Sequence, residues 1–514
     1  MTDAAARVLA GLERDLAEVV GEEEGSPESG DQRFTDVGNA RRLVLAHGHR
    51  FRYVNAWAQW LVWDGRRFRR DAKGEVVEAA KAVAGSLWAR VPGADDVDRK
   101  ALARWAAQSE SAQRIEAMIK LARTEPGIAV EPDELDAHPW LLNVANGTVD
   151  LRTGELRPHR RQDLLTKLAP VDHDPGATCP TWTAFLARIM PDDDVRAFLQ
   201  EVVGYALTGV TTEQILVFCF GQGANGKSTL TETLQAMVGD YGRQAEPGLL
   251  LARQDVHPTG VADLQGARLV VATEVEEGRR LGEATVKQLT GGDRIKARYM
   301  RADFFEFTPT HKLFLHGNHR PIVRGTDHAI WRRLRLIPFT VTIPREEQDK
   351  HLVSRLTHEL PGILMWALQG CLRWQQHGLS QPAAVLAATS DYRSEMDVLG
   401  AFLEECCVVA DRAYVSSANL YRAYQSWLDD NGERSVSQRS LGVALTERGF
   451  DRRKHGPDRR WHWFGIGLLE PMNPPDPESG ITPRARARVG ETGDTGSQGF
   501  KGSSEPRLPY SEGS

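Results

Sequence analysis

The sequence predicts an α/β protein with a parallel sheet at its centre, an α+β domain before that sheet and a small helical domain with a hairpin after it. An apolar, strand-like run from Ile215 to Phe220 leads through a glycine-rich turn into a helix-like run that ends at Met237. Two further apolar runs, 267–278 and 311–321, have the composition of buried strands. Two amphipathic runs and a basic hairpin follow between 418 and 466. Strands that alternate with helices favour a parallel sheet.

The glycine-rich turn reads GQGANGKS and fits the phosphate-loop pattern G-x-x-x-x-G-K-S. Its glycines would let the backbone curl tightly and direct N–H groups inward, where the positive end of the following helix adds to them. We expect Lys227 to reach the β- and γ-phosphates of ATP, and the hydroxyl of Ser228 to hold Mg²⁺. The predicted nucleotide-binding residues are Gly221, Gln222, Gly223, Ala224, Asn225, Gly226, Lys227 and Ser228. A chance glycine turn is the alternative, and the strand before and helix after argue against it.

Composition narrows the class of protein. The 514 residues suffice for several domains, and the net charge of −6 is so mild that only local basic patches can indicate a nucleic-acid partner. The five cysteines include no C-x-x-C pair, which argues against a zinc site and fits a reducing cytoplasm. No apolar run reaches membrane-spanning length, and the acidic N-terminus lacks a signal-peptide core. We therefore expect a cytoplasmic protein without a membrane partner.

The N-terminal third has the pattern of an α+β domain. Helices are expected at 75–91 and 96–122, and hairpin turns at three dipeptides: Asp64-Gly65, Asn146-Gly147 and Thr153-Gly154. Four arginines flank the first turn, and either a nucleic-acid contact or a solvated hairpin end accounts for them: Arg66, Arg67, Arg69 and Arg70. Asp172-His173-Asp174 resembles a metal-binding cluster, but its Pro- and Gly-rich surroundings favour a linker.

Polar residues follow both later strands of the predicted sheet. Glu274 ends the first of them, and we expect it beside the phosphate loop, where an acid supports Mg²⁺ or polarises the attacking water. Glu276 and Glu277 come next and are either a second acid of the site or solvated surface. Asn318 ends the other strand, and its amide can hydrogen-bond the γ-phosphate or the water.

A basic hairpin is predicted between these two strands. Ile295 and Ala297 alternate with Lys296 and Arg298, and strand composition resumes at 304–307. The cations of the hairpin would follow a DNA backbone and the tyrosine would offer a stacking face; the residues are Lys296, Arg298, Tyr299 and Arg301. An ordinary hairpin with a solvated end is the alternative. Further on, Arg332 and Arg333 precede a strand, and one of them could reach a γ-phosphate in a neighbouring subunit.

The C-terminal part predicts a winged helix-turn-helix. An amphipathic helix at 418–433 is followed by a second helix capped by Ser437 and by a hairpin with a basic strand. Arg452, Arg453 and Lys454 would face DNA phosphates. A hairpin that only packs on the central domain is the alternative.

Taken in order, these motifs resemble those of superfamily 3 helicases, and more narrowly the phage and plasmid primase-helicases, whose relatives include the poxvirus primase-helicase. The resemblance is carried by GQGANGKS, VVATEVEEG, KQLTGGD, LHGNHRP and WRRLRLIPF, and upstream by TDVGNARRLV, WLVWDG and NVANGTVDLRTGEL. It covers residues 34–464. One departure from the family is that Thr273 precedes Glu274, where many relatives have two adjacent acids. Which acid supports Mg²⁺ and which activates water therefore stays open.

The resemblance implies an AAA+-like motor that assembles as a ring, usually a hexamer, with ATP held between subunits and single-stranded DNA threaded through the hairpins. Matched motif by motif, the resemblance assigns Lys227 and Ser228 to the binding of nucleotide and metal. It assigns Glu274, the acidic residue at the end of its strand, to the binding of metal. Asn318 becomes the sensor, and Arg333, ahead of Arg332, becomes the arginine finger. The resemblance also assigns Lys287, Asp293 and Arg298 to the segment that binds DNA.

We therefore predict a ring-forming, ATP-dependent helicase of phage or plasmid replication that acts on single-stranded and duplex DNA in a bacterial cytoplasm. No polymerase-type carboxylate pair is recognisable, so a separate primase or polymerase is the expected partner. An ATP-switched initiator that melts DNA locally is the alternative; a P-loop kinase is a third reading, which both basic hairpins argue against.

The predicted boundaries follow from these assignments. They are 1–31 for an N-terminal helix and acidic linker, 32–175 for the primase-type N-terminal domain, 176–345 for the helicase ATPase domain, 346–396 for a helical connector, 397–470 for the winged-helix-like domain and 471–514 for a disordered tail.

Overall fold

The structure, a computed structural model, describes residues 34–252, 258–273, 278–298, 304–324 and 328–469. The predicted N-terminal helix, its acidic linker and the C-terminal tail lie outside the described residues. Two compact units divide at Val398 and Leu399, and each is treated by itself below. Within the described residues, no helix has the length and apolar character needed to cross a membrane.

The first unit opens with a four-stranded sheet packed against helices. Its elements are α1 (Asp36–His47), β1 (Phe51–Val54), β2 (Gln59–Trp63), β3 (Phe68–Arg70), α2 (Glu75–Ser86), α3 (Asp96–Ser109), α4 (Ala112–Ala122) and β4 (Ala129–Val130), with strand order β3-β2-β1-β4. The predicted turn at Asp64-Gly65 joins β2 to β3 and is confirmed. The single helix predicted at 96–122 is wrong, because Ser111 adopts an extended backbone and starts a new helix.

An antiparallel meander of three strands follows. It consists of β5 (Leu141–Val144), β6 (Gly147–Asp150) and β7 (Glu155–Arg157). The predicted turn at Thr153-Gly154 is confirmed, whereas the one predicted at Asn146-Gly147 lies one residue earlier, because Val144 pairs with Gly147. A Cβ on Gly147 would lie 2.6 Å from the carbonyl oxygen of Arg157, which restricts that position to glycine. The Asp172–Asp174 stretch is a loop in which the side chain of Asn146 accepts a hydrogen bond from the N–H of His173 at 2.9 Å. Among the described residues no cluster of three metal-ligating side chains occurs.

The centre of the unit is a five-stranded parallel sheet. Its strands are β8 (Leu216–Phe220), β9 (Gly242–Gln244), β10 (Leu269–Thr273), β13 (Lys312–Gly317) and β14 (Leu334–Pro338), in the order β14-β8-β13-β10-β9. Between them lie α7 (Lys227–Val238), α8 (Pro258–Ala262), α9 (Glu283–Thr290), the antiparallel hairpin of β11 (Ile295–Ala297) and β12 (Phe305–Phe307), and α10 (His328–Trp331). Strand β13 pairs with both β8 and β10 and therefore lies between the strand of the phosphate loop and the strand that leads to Glu274.

Both faces of this sheet are buried, as parallel sheets require. Val217 and Cys219 of β8 belong to one apolar cluster, whereas Leu216 and Phe218 belong to the cluster on the other face. The first cluster is shared with α5 (Pro180–Ile189), α6 (Asp193–Leu207), α11 (Leu352–His358) and α12 (Leu360–His377), and α13 (Ala383–Glu395) completes the unit. Strands of this sheet are continuous apolar runs because their successive side chains are buried on opposite faces, and such runs can be recognised as strands from the sequence.

The second unit is an antiparallel sheet packed against helices. It contains α14 (Val398–Cys406), β15 (Cys407–Ser416), α15 (Ser417–Asp430), α16 (Gln438–Glu447), β16 (Asp451–His455) and β17 (Arg460–Leu468), with strand order β15-β17-β16. The two predicted helices, the cap at Ser437 and the basic hairpin are confirmed. Strand β15 was not predicted, because exposed residues interrupt its apolar pattern and its pairing with β17 shifts register after Val409.

Candidate functional site

The glycine-rich loop lies between the end of β8 and the start of α7, at the carboxyl edge of the sheet. Gly226 has a φ of 85°, and a Cβ on Gly221 would lie 2.2 Å from the carbonyl oxygen of Phe339. Both positions therefore need glycine. Gly223 differs from the expectation, since a Cβ there would meet nothing within 4 Å and its glycine is not required sterically.

The ammonium of Lys227 lies inside this loop. Its side chain is 5% exposed and donates to the carbonyl oxygen of Gly221, to Oδ1 of Asn225 at 3.0 Å and to Oδ1 of Asn318 at 3.1 Å. Asn318 directly follows β13, which pairs with β8, so two distant stretches of sequence meet at one point. The structure thus brings together two of the predicted site residues.

A cleft of about 300 Å³ opens beside this ammonium. It is lined by Gly223, Ala224, Asn225, Gly226, Lys227, Ser228, Thr229, His316, Gly317 and Asn318. The described lining carries a cation, hydroxyls, amides and the N-terminus of α7, which together suit an anion. Cys219 lies beneath the cleft, and burial raises the pKa of its thiol to about 12, so it remains protonated.

The acids predicted for this site are Glu274, Glu276 and Glu277, and all three lie outside the described residues. The strand that leads to them ends at Thr273, which pairs with His316 at the wall of the cleft. His316 was not predicted. The sequence did contain a signal, because His316 is a polar residue in an apolar strand, two positions before Asn318.

The two arginines before β14 differ in exposure. Arg333 is 8% exposed and donates from Nε to the hydroxyl of Thr290 at 3.2 Å and from Nη1 to the carbonyl oxygen of Ala329 at 2.7 Å. Gln214 accepts from Nη2 of Arg333 at 3.1 Å and from Nη2 of Arg332 at 3.4 Å. Arg332 is exposed, whereas Arg333 is enclosed by its own chain.

Both arginines lie at the amino edge of the sheet. Leu334 pairs with Leu216 at the start of β8, and Pro338 pairs with Phe220 where the glycine-rich loop begins. Four strand residues of about 3.3 Å each place roughly 13 Å between these edges. Neither guanidinium is therefore close to the loop of its own chain.

The hairpin after α9 carries exposed cations on one side. Lys296 and Arg298 are exposed, while Ile295 and Ala297 on the other side are buried. The ammonium of Lys296 and the guanidinium of Arg298 lie 5.0 and 4.8 Å from the ring centre of Phe304, which is 51% exposed. Lys287 is half-buried on α9. Tyr299 and Arg301, the predicted tip, lie outside the described residues.

Phe304 was missed by sequence reasoning, which assigned the stacking role to Tyr299. The available signal was the aromatic run at 304–307, in which Phe304 directly precedes the strand residue Phe305.

The cations of the C-terminal hairpin divide between the two faces of its sheet. Arg452 donates from Nε to the hydroxyl of Ser417 at 3.2 Å, and its guanidinium lies 5.0 Å from the ring centre of Trp461. Lys454 lies 5.5 Å from the same ring. Arg453 points to the opposite face, where it pairs with Asp451 and lies 5.7 Å from the ring of Phe464. The exposed Trp461 was not predicted.

Two of the four arginines near the first turn form ion pairs. Arg67 pairs with Asp64 and Asp240, and Arg69 pairs with Glu75. The choice between a solvated hairpin end and a DNA contact stays a prediction.

Two buried cations at the amino edge of the sheet were also missed. Arg268 donates to the carbonyl oxygens of Leu207 and Leu141, each at 2.6 Å, and stacks 4.5 Å from the ring centre of Tyr241. Lys312 donates to Thr208 and is 2% exposed. Burial lowers the pKa of both groups. Arg268 links the start of β10 to α6 and β5, and Lys312 links the start of β13 to the residue after α6. A sequence pattern of apolar strands gives no sign of such contacts.

Three family models match consecutive parts of the chain. "D5 N terminal like" matches residues 40–191, a family of unknown function matches 219–333, and "Poxvirus D5 protein-like" matches 394–455.

Curated relatives come from large DNA viruses. "Putative helicase L207/L206" of Acanthamoeba polyphaga mimivirus is 28% identical over 59% of this chain and 35% of its own length. "Putative helicase 022R" of Frog virus 3 is 24% identical over 61% of this chain and 41% of its own length. "Putative primase C962R" of African swine fever virus is 23% identical over 58% of this chain and 34% of its own. The chain thus spans between a third and about two fifths of these relatives.

Among solved structures, the apo structure of the C-terminal region of NrS-1, residues 305–718, is similar to this chain. The TM-score is 0.45 at 9% identity, over 84% of this chain and 99% of that one.

Proposed function

We propose that this chain, which belongs to the primase-helicase family that includes the poxvirus D5 protein, is an ATP-dependent DNA helicase. The observation that carries the proposal is the convergence of Lys227 and Asn318 on one cleft at the carboxyl edge of a parallel sheet. Ligands of open α/β sheets bind at this edge.

The residues of the cleft fit a nucleoside triphosphate. Lys227 is a buried cation at the cleft, where it donates to Asn225 and Asn318 and would contact the phosphates of a bound nucleotide. Backbone N–H groups at the start of α7 would hold the phosphates, and Lys227 would stabilise the charge that develops during phosphoryl transfer. Asn318 would orient the attacking water. Mg²⁺, held by Ser228 with Glu274, would neutralise further phosphate charge when bound.

Hydrolysis in this proposal takes place between subunits. The exposed Arg332 lies at the amino edge of the sheet, about 13 Å along the strands from the loop of its own chain, so a γ-phosphate that it contacts would belong to another copy. Head-to-tail contacts form a ring when the rotation between subunits closes, and the proposed ring is a hexamer. Arg333 then acts as a positioning residue that fixes the segment through Gln214 and Thr290.

DNA would be bound by two surfaces. The hairpin of β11 and β12 presents Lys296, Arg298 and Phe304 to a strand passing through the ring. In the second unit, the order helix, strand, two helices and two strands supports a winged-helix domain, with α16 as its recognition helix and β16–β17 as its wing.

The test is the rate of ATP hydrolysis with and without single-stranded DNA, together with the particle mass in the presence of nucleotide. We expect DNA to accelerate hydrolysis and nucleotide to favour a ring. Lys227→Ala should lower the rate by about 10²-fold or more, because it removes a cation at the developing charge. The exposed Lys81→Ala is the matched control and should hydrolyse ATP normally. A monomer whose full hydrolysis rate ignores DNA would contradict the proposal.

An initiator that melts DNA only locally is the second candidate, because the second unit carries a recognition-type helix pair that an origin-binding protein would need. Displacement of a labelled strand from long duplexes of arbitrary sequence separates the two. A helicase unwinds them to completion, whereas an initiator opens only short or particular sites.

A further inference from the structure

The sheet of the second unit has two chemically different faces. Its inner face, toward the helices, carries Trp463 and Ile466, which are 3% and 0% exposed, and a Cβ on Gly442 of α16 would lie 3.6 Å from the ring of Trp463. Since successive residues of a strand point to opposite sides, Phe464 and His462 of β17 point away from the helices. Tyr414 pairs with Phe464 across the strands and shares that side.

We call this second side the outer face and define it by Tyr414, Arg453, His455, His462 and Phe464. Tyr414 is 53% exposed and stacks on Phe464 with ring centres 6.0 Å apart and planes inclined by 28°. The imidazoles of His455 and His462 lie 4.8 and 5.9 Å from the tyrosine ring. Four rings therefore form one continuous aromatic surface that is partly open to solvent.

Cations accompany these rings. The guanidinium of Arg453 lies over Phe464 and forms an ion pair with Asp451. From Asp451 to Arg460 the hairpin holds five lysines and arginines and two aspartates, a net charge of +3 before any histidine is counted. A surface that packs against protein is typically poor in charge at its centre, whereas exposed rings beside cations are the composition of single-strand binding surfaces.

The shape of the outer face selects among forms of DNA. Rings that stack on bases need access to the flat side of a base, and that side is covered by its neighbours in a duplex. The inner side of the wing is different, because Arg452 is anchored to Ser417 and Trp461 lies between Arg452 and Lys454. That side offers charge to a backbone, and the outer face offers rings to unpaired bases.

We propose that the outer face binds single-stranded DNA by stacking bases on Tyr414 and the rings beside it. The inference rests on the proposed function only in taking DNA as the ligand. It assigns the second unit a role in holding the separated strand, in addition to any duplex contact through α16. Because stacking contributes to the affinity in addition to charge, we expect moderate salt to lower this affinity less than it lowers the affinity of contacts made by phosphate neutralisation alone.

The test uses the full chain with oligonucleotides that carry 5-iodouracil, which crosslinks to stacked aromatic side chains on irradiation. We expect crosslinked peptides that contain Tyr414, Phe464 or one of the two histidines, with single strands but not with duplexes of the same length. In direct binding, Tyr414→Ala should weaken single-strand affinity about 5- to 150-fold, the range for losing one stacked base, and Tyr414→Phe should restore it. Val409→Ala is the matched control on β15, because Val409 is 62% exposed and lies outside the ring cluster.

The outcomes separate this inference from the proposed function. If crosslinks form on the β11–β12 hairpin and not on the outer face, or if Tyr414→Ala binds single strands like the unchanged protein, the inference is wrong while the helicase proposal stands. If outer-face crosslinks form but ATP hydrolysis ignores DNA, the helicase proposal fails and the outer face remains a binding surface. Thermal unfolding of each variant checks that a loss of affinity does not come from a loss of fold.

Discussion

At the scale of single residues, the candidate site depends on a contact between Lys227 and Asn318, which are 91 positions apart in the chain. Each was predicted from its own neighbourhood, one from a glycine-rich turn and the other from a polar residue at a strand end. The burial of Arg333 could not be predicted in the same way. It depends on Gln214 and Thr290, which come from separate elements and carry no pattern that links them to an arginine.

Replacement of Asn318 tests its role in orienting water. We expect Asn318→Ala to lower kcat for ATP hydrolysis about 10- to 100-fold while the KM for ATP changes little, because the amide acts on the reacting water more than on nucleotide binding. The adjacent His319→Ala is the control, since His319 is exposed and does not line the cleft. Steady-state kinetics at saturating Mg²⁺ measure both. An increase in KM with unchanged kcat would assign Asn318 to nucleotide binding instead.

His311 should make the folded protein sensitive to acid. It is 2% exposed, neither ring nitrogen has a hydrogen-bond partner within the described residues, and burial lowers its pKa from 6.5 to about 3. The unfolded chain therefore binds one more proton than the folded chain between these values. Stability should fall as pH drops from 6.5 toward 3, by up to about 1.4 kcal/mol per pH unit from this residue.

His311→Leu should remove that dependence and raise the unfolding temperature at pH 5, because an apolar side chain needs no hydrogen bond and takes up no proton. Unfolding followed by circular dichroism at pH 5 and pH 8 checks both statements. An equal change in unfolding temperature at the two pH values would contradict the proton-uptake argument.

At the scale of elements, the strands and most helices follow from apolar periodicity, and the errors have physical causes. Helix 96–122 breaks where Ser111 leaves helical geometry, and β15 exists through its pairing with β17 despite mostly exposed side chains. The order of the strands was not predicted, because a parallel sheet can reach its next strand by a crossover and chain order does not fix strand order. Pairing between distant strands decided β15 and the sheet order, whereas the helix break is local.

The crossing of α6 and α12 depends on two glycines. A Cβ on Gly204 would lie 2.1 Å from the backbone nitrogen of Cys371, and one on Gly370 would lie 2.0 Å from the carbonyl oxygen of Gln200. Backbone atoms cannot move aside as a flexible side chain does, so Gly204→Ala should force the helices apart. We expect the free energy of unfolding to fall by about 1–3 kcal/mol, the usual cost of overpacking.

Gly85→Ala is the matched control for this crossing. Gly85 also lies in a helix, α2, but a Cβ there meets nothing within 4 Å. Its replacement should be neutral or stabilise by up to about 1 kcal/mol through helix propensity. Denaturant unfolding of both variants measures the difference. If Gly204→Ala were no less stable than Gly85→Ala, close packing at the crossing would be refuted.

At the scale of the whole molecule, the question is whether one chain contains a complete site. The sheet has its glycine-rich loop at one edge and the exposed Arg332 at the other. In a ring of identical subunits, the Arg332 of each subunit would therefore lie at the glycine-rich loop of its neighbour. A mixture of two inactive variants tests this. Lys227→Ala keeps its Arg332, and Arg332→Ala keeps its loop, so each variant alone should hydrolyse ATP poorly.

Equal mixing of the two variants should restore activity, because roughly a quarter of head-to-tail junctions then join an intact loop to an intact Arg332. Mixing Arg332→Ala with the double variant Lys227→Ala/Arg332→Ala is the control and should restore no activity, since no subunit then carries Arg332.

Arg333→Ala should behave differently. Its buried contacts with Thr290 and Ala329 would be lost within its own chain, so the loss of activity would be accompanied by a lower unfolding temperature. If instead Arg333→Ala folded normally and were rescued by Lys227→Ala while Arg332→Ala remained active alone, the arginine acting between subunits would be Arg333, as the family resemblance first implied.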